Sequence, residues 1–263
     1  MYAFTYHRAA DVADAVRALG EENAKLLAGG QTLLPTMKQR LAGPGVLIDL
    51  ARLKDLRGVE DRGDVLIVKA MTTHNEVMTS PVVAKAVPGL EKMAALIGDP
   101  AVRHRGTIGG SVANNDPSAD YPAACLALQA TIVTDRRRVP ADEFFQGLFT
   151  TALEENEIVT AIEFPRVDKF AYGKFRNPAS RYALVGVAIA KRGGDVRVAV
   201  TGSGNDGVFR WTEAEERLKA DFSPKALEGL KGDPGKLVGD IHASPEYRAH
   251  LMGVMARRAL EAA

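Results

Sequence analysis

Two Gly-Gly pairs constrain this chain more than any other feature: Ala28-Gly29-Gly30-Gln31-Thr32 and Thr107-Ile108-Gly109-Gly110-Ser111. Each follows an apolar segment, and each carries a hydroxyl residue just beyond the glycines. Adjacent glycines let a backbone pass close to a ligand and leave N–H groups free to point at anionic oxygens. A lone Gly-Gly is more often a plain tight turn. Two such loops facing each other suit the two phosphates of a pyrophosphate, which makes a dinucleotide the natural ligand. Neither loop has the spacing Gly-x-Gly-x-x-Gly or Gly-x-x-x-x-Gly-Lys-Ser/Thr, so the usual nicotinamide-dinucleotide and nucleoside-triphosphate sites are disfavoured.

The pattern around the loops is mixed. Asp11 is placed to cap a helix reaching Leu19, with Val12, Ala15, Val16 and Leu19 at helical spacing. Ala24–Ala28 reads as a strand, Leu33–Leu41 as a short helix stopped by Gly43-Pro44-Gly45, and Val46–Leu50 as a second strand, together a crossover-sized strand–helix–strand unit. Val65–Val68 is a strand. Thr72-Thr73 and Ser80-Pro81 are helix starts, Leu90, Met93, Ala94 and Ile97 share a helical face, and Gly98-Asp99-Pro100 breaks that helix. Asp116-Pro117-Ser118 reads as another start, ahead of a helix over Tyr121–Leu128; strands follow at Ala130–Thr134 and Glu157–Phe164. Beyond Pro165 the texture changes: strands at Tyr172–Phe175, Ala183–Ala190 and Val196–Thr201, the last two joined as a hairpin through Gly193-Gly194. Helices follow at Thr212–Lys219, Pro224–Leu230 and from Ser244-Pro245 to Leu260. Gly202–Gly207 is the stretch of most flexible composition.

The expected fold is α+β, in part α/β. Its expected units are 1–55, 56–166 and a smaller α+β unit, 167–263, built on a three-stranded antiparallel sheet with helices. A content of 46% hydrophobic residues over 263 positions fills real cores. Lys and Arg number 34 against 33 for Asp and Glu, a net charge of +1, which gives no footprint for nucleic acid. Arg136-Arg137-Arg138 reads as a solvated turn. Neither a leader-like N-terminus nor an apolar run of membrane-spanning length is present, so the expectation is a cytoplasmic protein without a membrane span. The single cysteine, Cys125, sits among apolar residues and reads as a buried hydrophobe; four-cysteine clusters are excluded within this chain. The histidines show no ligand spacing, and no metal is expected.

The run Leu27–Lys38, the run Met71-Thr72-Thr73-His74, and Arg105–Ser111 with Asp116-Pro117-Ser118-Ala119-Asp120 closely resemble the FAD-binding medium subunit of molybdenum hydroxylases. That family includes the medium subunit of carbon monoxide dehydrogenase and the FAD domain of xanthine dehydrogenase. Phe144–Gly147, Glu157–Val159 and Asp240–Arg248 extend the resemblance over essentially the whole chain. It implies a two-subdomain FAD-binding fold of the vanillyl-alcohol oxidase type (also called PCMH), with the pyrophosphate on the two glycine loops. Cofactor contacts are implied at Ala28, Gly29, Gly30, Gln31, Thr32 and Leu33; at Thr72, Thr73 and His74; at Thr107, Ile108, Gly109, Gly110 and Ser111; and at Asn115, Asp120, Ile162, Lys174 and Tyr182. Asp120 matches the acid that hydrogen-bonds the flavin sugar chain. Lys174 and Tyr182 match positions near the ring, although on the residues alone they read equally well as a solvated strand lysine and a core aromatic. Relatives commonly carry an acid before that aromatic, where this chain has Arg181.

The resemblance further implies an electron-transfer subunit with no catalytic acid or base of its own. Its implied partners are an iron–sulfur small subunit and a molybdenum-cofactor large subunit in a heterotrimer, with an external electron acceptor. Two other readings stand beside it: a free-standing flavin-dependent oxidoreductase, and a non-redox structural subunit that has lost FAD.

Overall fold

The computed structural model describes residues 1–262. Three main sheets carry the chain. The first is parallel and is built from β1 (Thr5–Arg8), α1 (Val12–Leu19), β2 (Ala24–Leu27), α2 (Leu33–Lys38) and β3 (Val46–Asp49), in the spatial order β1-β3-β2. Asp11 caps α1 by accepting from the Asp14 N–H at 2.7 Å. The strand–helix–strand unit is present as expected, with α2 stopping at Lys38 rather than Leu41. Strand β1 was not expected. Most of its side chains are exposed, so it lacks the apolar alternation by which a strand declares itself.

The second sheet is antiparallel. It begins with β4 (Val59–Asp61) and β5 (Val65–Lys69), which lead into a helical excursion: α3 (His74–Thr79), α4 (Pro81–Ala86), α5 (Leu90–Ala95), α6 (Pro100–Arg103), α7 (Ile108–Asn114) and α8 (Asp120–Ala127). The chain returns through β6 (Thr131–Thr134), β7 (Arg138–Pro140), α9 (Ala141–Phe144), a small hairpin of β8 (Phe145–Gly147) and β9 (Thr150–Thr151), and β10 (Val159–Pro165). The strand order is β4-β5-β10-β6-β7, with β10 at the centre. Thr73 and Glu76 form a reciprocal capping box on α3, and Ser80 and Asp99 cap helices that have proline in the first turn.

Two local expectations are corrected in this region. Gly98-Asp99-Pro100 starts helix α6 as well as ending one, because Asp99 accepts from the Val102 N–H. Asp116-Pro117-Ser118 does not start a helix. Asp116 closes a turn by accepting from the Ser118 N–H, and α8 begins at Asp120 because the Thr201 hydroxyl, bonded to the Pro117 and Ala119 carbonyls, holds the preceding backbone extended. Arg136-Arg137-Arg138 lies, as expected, at an exposed turn, between β6 and β7, and its side chains are ion-paired there. Arg137 pairs at 2.9 Å with Glu157, whose side chain is fully buried and whose carboxyl that guanidinium holds down at about 2. Arg138 pairs with Glu163 on the central strand. The paired acids lie about twenty residues or more downstream, so these ion pairs are not legible in the local sequence.

The third sheet is antiparallel, ordered β11 (Lys169–Arg176), β12 (Ala183–Arg192), β13 (Asp195–Thr201) and β14 (Phe209–Arg210), and is followed by α10 (Thr212–Ala220) and α11 (Pro245–Glu261). The short β14 makes it four-stranded rather than three, and Pro224–Leu227 is a single 3₁₀ turn where a longer helix was expected. Strand β12 is an unbroken apolar run because both faces are covered. Ala188 and Ala190 join the core of the second sheet, while Val185, Val187 and Ile189 pack with Trp211, Leu218, Met252 and Met255 beneath α10 and α11. Gly202–Gly207 is tied down, not loose: the Gly202 N–H donates to Pro117, and Ser203 and Asn205 bond to Val238 and Lys236. Among the described residues no helix is long and apolar enough to cross a membrane.

Candidate cofactor site

The turn from β2 into α2 carries the first glycine pair. The backbone N–H groups of Gly29, Gly30, Gln31, Thr32 and Leu33 donate to no acceptor among the described residues. Gly30 adopts φ +73°, a left-handed conformation suited to glycine, and this turns successive N–H groups to one side. Thr32 precedes α2 without using its hydroxyl as a cap. The result is a short, partly exposed arc of unpaired donors, which is what an anionic oxygen requires.

The second pair is built differently from expectation. Thr107-Ile108-Gly109-Gly110-Ser111 is the N-terminus of helix α7 rather than a loop, with Thr107 as its cap accepting from the Gly110 N–H at 3.2 Å. Four of its five donors are engaged: Ile108 bonds to Thr72, Gly109 to Ala70, Gly110 to the Thr107 hydroxyl and Ser111 to the Thr107 carbonyl, while the Thr107 N–H donates to no acceptor among the described residues. The glycines are needed here for close approach. A Cβ on Gly109 would lie 2.8 Å from Ala70 Cα, and one on Gly106 would lie 2.6 Å from His74 Nε2.

The two pairs nevertheless meet, as the sequence predicted. A Cβ on Gly29 would stand 2.7 Å from Gly106 Cα and closer still to the Arg105 carbonyl, and one on Gly110 would stand 3.5 Å from Ala28 Cβ. The loop with free N–H groups therefore packs directly against a backbone that is free of side chains at Gly106, Gly109 and Gly110. Thr72 and Thr73 form the seam behind it and are spent on structure. The Thr72 hydroxyl both accepts from and donates to Gly58 at 2.9 Å, and Thr73 bridges to Thr107 and caps α3.

His74, at the first position of α3, is buried with its ring 5.4 Å from that of Tyr121. Its Nδ1 and the Tyr121 hydroxyl are both buried without a partner among the described residues. Burial, with the charge of Arg103 adding, holds the imidazole down at about 4. A base depressed from its unfolded value near 6.5 makes the native state bind fewer protons, so stability present above pH 6.5 is lost as pH falls toward 4. Denaturant unfolding followed from pH 7 to pH 4 is expected to show this decline, and His74→Gln is expected to flatten it.

Asp120 opens α8 and is the corner at which the second and third sheets meet. Its Oδ2 accepts from Lys174 Nζ at 2.8 Å and its Oδ1 accepts from the Tyr172 hydroxyl; Lys174 also donates to the Leu96 carbonyl at 3.2 Å. Both charged side chains are almost fully enclosed, so Lys174 is not a solvated strand lysine. Tyr172 was missed from the sequence. Its only signal there was its place two residues before Lys174, which puts both side chains on one face of β11.

Asn115, with φ +44°, ends α7 and spends both amide hydrogens on the Gly147 and Thr150 carbonyls at 2.8 Å, fixing the β8–β9 turn. Ile162 is enclosed in the centre of β10, away from any polar partner. Tyr182 is 44% exposed, not a core aromatic. Burial of its hydroxyl end raises its pKa, Asp116 and Asp120 add to the rise, and the Thr32 side chain opposes it, which sets Tyr182 between the first glycine loop and the third sheet. A cleft of about 470 Å³ opens beside Tyr182, with Ser118, Leu148, Asn177 and His242 in its lining.

The family model described as FAD binding domain in molybdopterin dehydrogenase matches residues 2–167. The carbon monoxide dehydrogenase medium chain of Hydrogenophaga pseudoflava is 36% identical over 280 residues, covering 99% of this chain and 96% of the relative. The nicotine 6-hydroxylase medium subunit of Paenarthrobacter nicotinovorans is 36% identical over 273 residues, covering 98% and 96%. The solved structure of carbon monoxide dehydrogenase from Hydrogenophaga pseudoflava that lacks the Mo-pyranopterin moiety of its molybdenum cofactor superposes with a TM-score of 0.89 at 37% identity, over 100% of this chain and 97% of the other. The chain belongs to the FAD-binding family of molybdopterin dehydrogenases, an oxidoreductase family, and its cofactor is FAD.

Proposed function

We propose that this chain is the electron-transfer flavoprotein subunit of a molybdenum hydroxylase, receiving electrons from iron–sulfur clusters of a small partner subunit and passing them through FAD to an external acceptor. Substrate oxidation takes place on a large molybdenum-cofactor subunit. The observation that carries this reading is the arc of unpaired N–H groups over Gly29–Leu33 facing the side-chain-free surface at Gly106–Gly110. FAD, when bound, supplies the redox chemistry; the chain supplies position and electrostatics. The arc takes the pyrophosphate oxygens, Asp120 accepts from a hydroxyl of the sugar chain, and Tyr182 offers an aromatic face to the ring system. In this reading 1–55 and 56–166 are the two FAD-binding subdomains and the third unit runs to 263, a residue outside those described.

Partner subunits are needed for the rest of the path. The chain has one cysteine, Cys125, buried and with its thiol pKa pushed up by that burial, so it contributes no cluster ligand. The relatives are named for substrates as unlike as carbon monoxide and nicotine while sharing a chain of this kind, which supports the reading that substrate choice lies on another subunit. The test is equilibrium dialysis of the purified chain against FAD with the visible flavin spectrum recorded. One FAD retained per chain is expected; a chain that stays colourless both alone and after co-expression with its partners would falsify the reading.

A further inference from the structure

We propose that Tyr172, acting through Asp120, is a positioning residue for the sugar chain of FAD, and that Gly186 is glycine to make room for its hydroxyl. This rests on the reading of the cradle given above. Tyr172 and Lys174 lie two apart on β11 and reach Asp120 from the same face, one on each carboxylate oxygen. Gly186 on β12 is paired with Lys174 and lies diagonally opposite Tyr172. A Cβ there would stand 3.0 Å from Tyr172 Cζ, closer still to the hydroxyl oxygen, and 2.8 Å from Thr201 Cγ2. Thr201, next across the sheet from Gly186, holds the Pro117 and Ala119 carbonyls, so one patch of the third sheet fixes both the carboxylate of Asp120 and the backbone leading into it.

This arrangement has a chemical consequence. A free aspartate side chain rotates about two bonds, and a ligand hydroxyl that binds it must first freeze it. Here two donors from a rigid strand set the rotamer and leave the remaining lone pairs of the carboxylate pointing along a fixed direction. The Tyr172 hydroxyl stays protonated, since burial and the adjacent Asp120 raise its pKa well above the ordinary value, so it remains a donor across the working pH range. Lys174 alone would fix one oxygen and leave the plane of the carboxylate free to turn; Tyr172 fixes the plane.

The test separates the halves of the cofactor. ADP carries the adenine and diphosphate half of FAD and lacks the sugar chain and ring that lie beyond the diphosphate. For the full chain, Tyr172→Phe is expected to weaken FAD binding about tenfold, as loss of a hydrogen bond to a charged group would, while ADP affinity stays within about twofold of wild type. In an Asp120→Ala background, which removes the acceptor, the same change is expected to have no further effect. Gly186→Ala, which keeps both side chains and crowds the hydroxyl off Asp120, is expected to reproduce the FAD-selective loss. Wild-type FAD affinity in both single variants overturns the inference, and so does an equal loss of FAD and ADP, the mark of a merely structural role. A wild-type chain that binds neither ligand would instead sink the reading of the cradle.

Discussion

Gly29→Val is expected to abolish FAD retention, lowering affinity by at least about 100-fold, equivalent to about 2.7 kcal/mol. It is also expected to cost about 1–3 kcal/mol of folding stability through overpacking. The reason is where the new atoms go. Even a Cβ at Gly29 falls 2.7 Å from Gly106 Cα, against backbone that cannot swing aside as a side-chain tip would. The two loops must separate, and the unpaired N–H groups at Gly29–Leu33 then no longer face the surface at Gly106–Gly110. Gly194→Ala is the control, since its Cβ meets nothing within 4 Å. Dialysis against FAD and urea midpoints for the two variants check this; Gly29→Val retaining flavin like wild type would mean that the pyrophosphate does not rest on this pair of touching loops.

Much of this was legible in the sequence, and the parts that were not share a cause. Local signals were read well: Asp11, Thr73 and Ser80 cap the helices they precede, and Gly193-Gly194 turns the hairpin between β12 and β13. The meeting of the two glycine pairs was legible because two copies of one unusual feature point to one ligand. What the second pair does was not. From sequence it offers free donors, whereas in the structure the N–H groups of Ile108, Gly109, Gly110 and Ser111 are consumed by Ala70, Thr72 and Thr107. The partner segment lies more than thirty residues upstream, and no local rule reports its approach. Lys174 failed in the same way: it reads as a solvated strand residue until Asp120 is brought to it by packing of α8 on the third sheet.

The corner at Asp120 ties the candidate site to the stability of the whole chain. The first two sheets furnish the cradle, yet the residues that hold the Asp120 carboxylate and the turn before it, Tyr172, Lys174 and Thr201, all come from the third sheet. On the proposed role of Asp120 the third sheet is part of the cofactor site rather than an appendage, and its polar patch is set into an otherwise apolar interface of Ala188, Ala190 and Ala199 against α8. Polar groups so placed are costly unless every one is paired, and a change to one strands another.

Lys174→Met is accordingly expected to destabilise the chain by about 3–5 kcal/mol, because it leaves the Asp120 carboxylate buried, with only the Tyr172 hydroxyl as a partner. Asp120→Asn is expected to lose a comparable amount for the mirror-image reason, a buried ammonium facing a neutral amide. The double variant Lys174→Met, Asp120→Asn removes both charges together and is expected to recover most of the loss, so that the two single effects are far from additive. Urea unfolding of the four proteins at pH 7 measures the coupling directly. Flavin binding then divides stability from function: the double variant is expected to fold and to bind ADP, yet to hold FAD weakly, because the charged acceptor for the sugar chain is replaced by a neutral amide. Additive single losses would show that Lys174 and Asp120 are not an energetic pair, and FAD bound at wild-type strength by the double variant would remove Asp120 from the cofactor site.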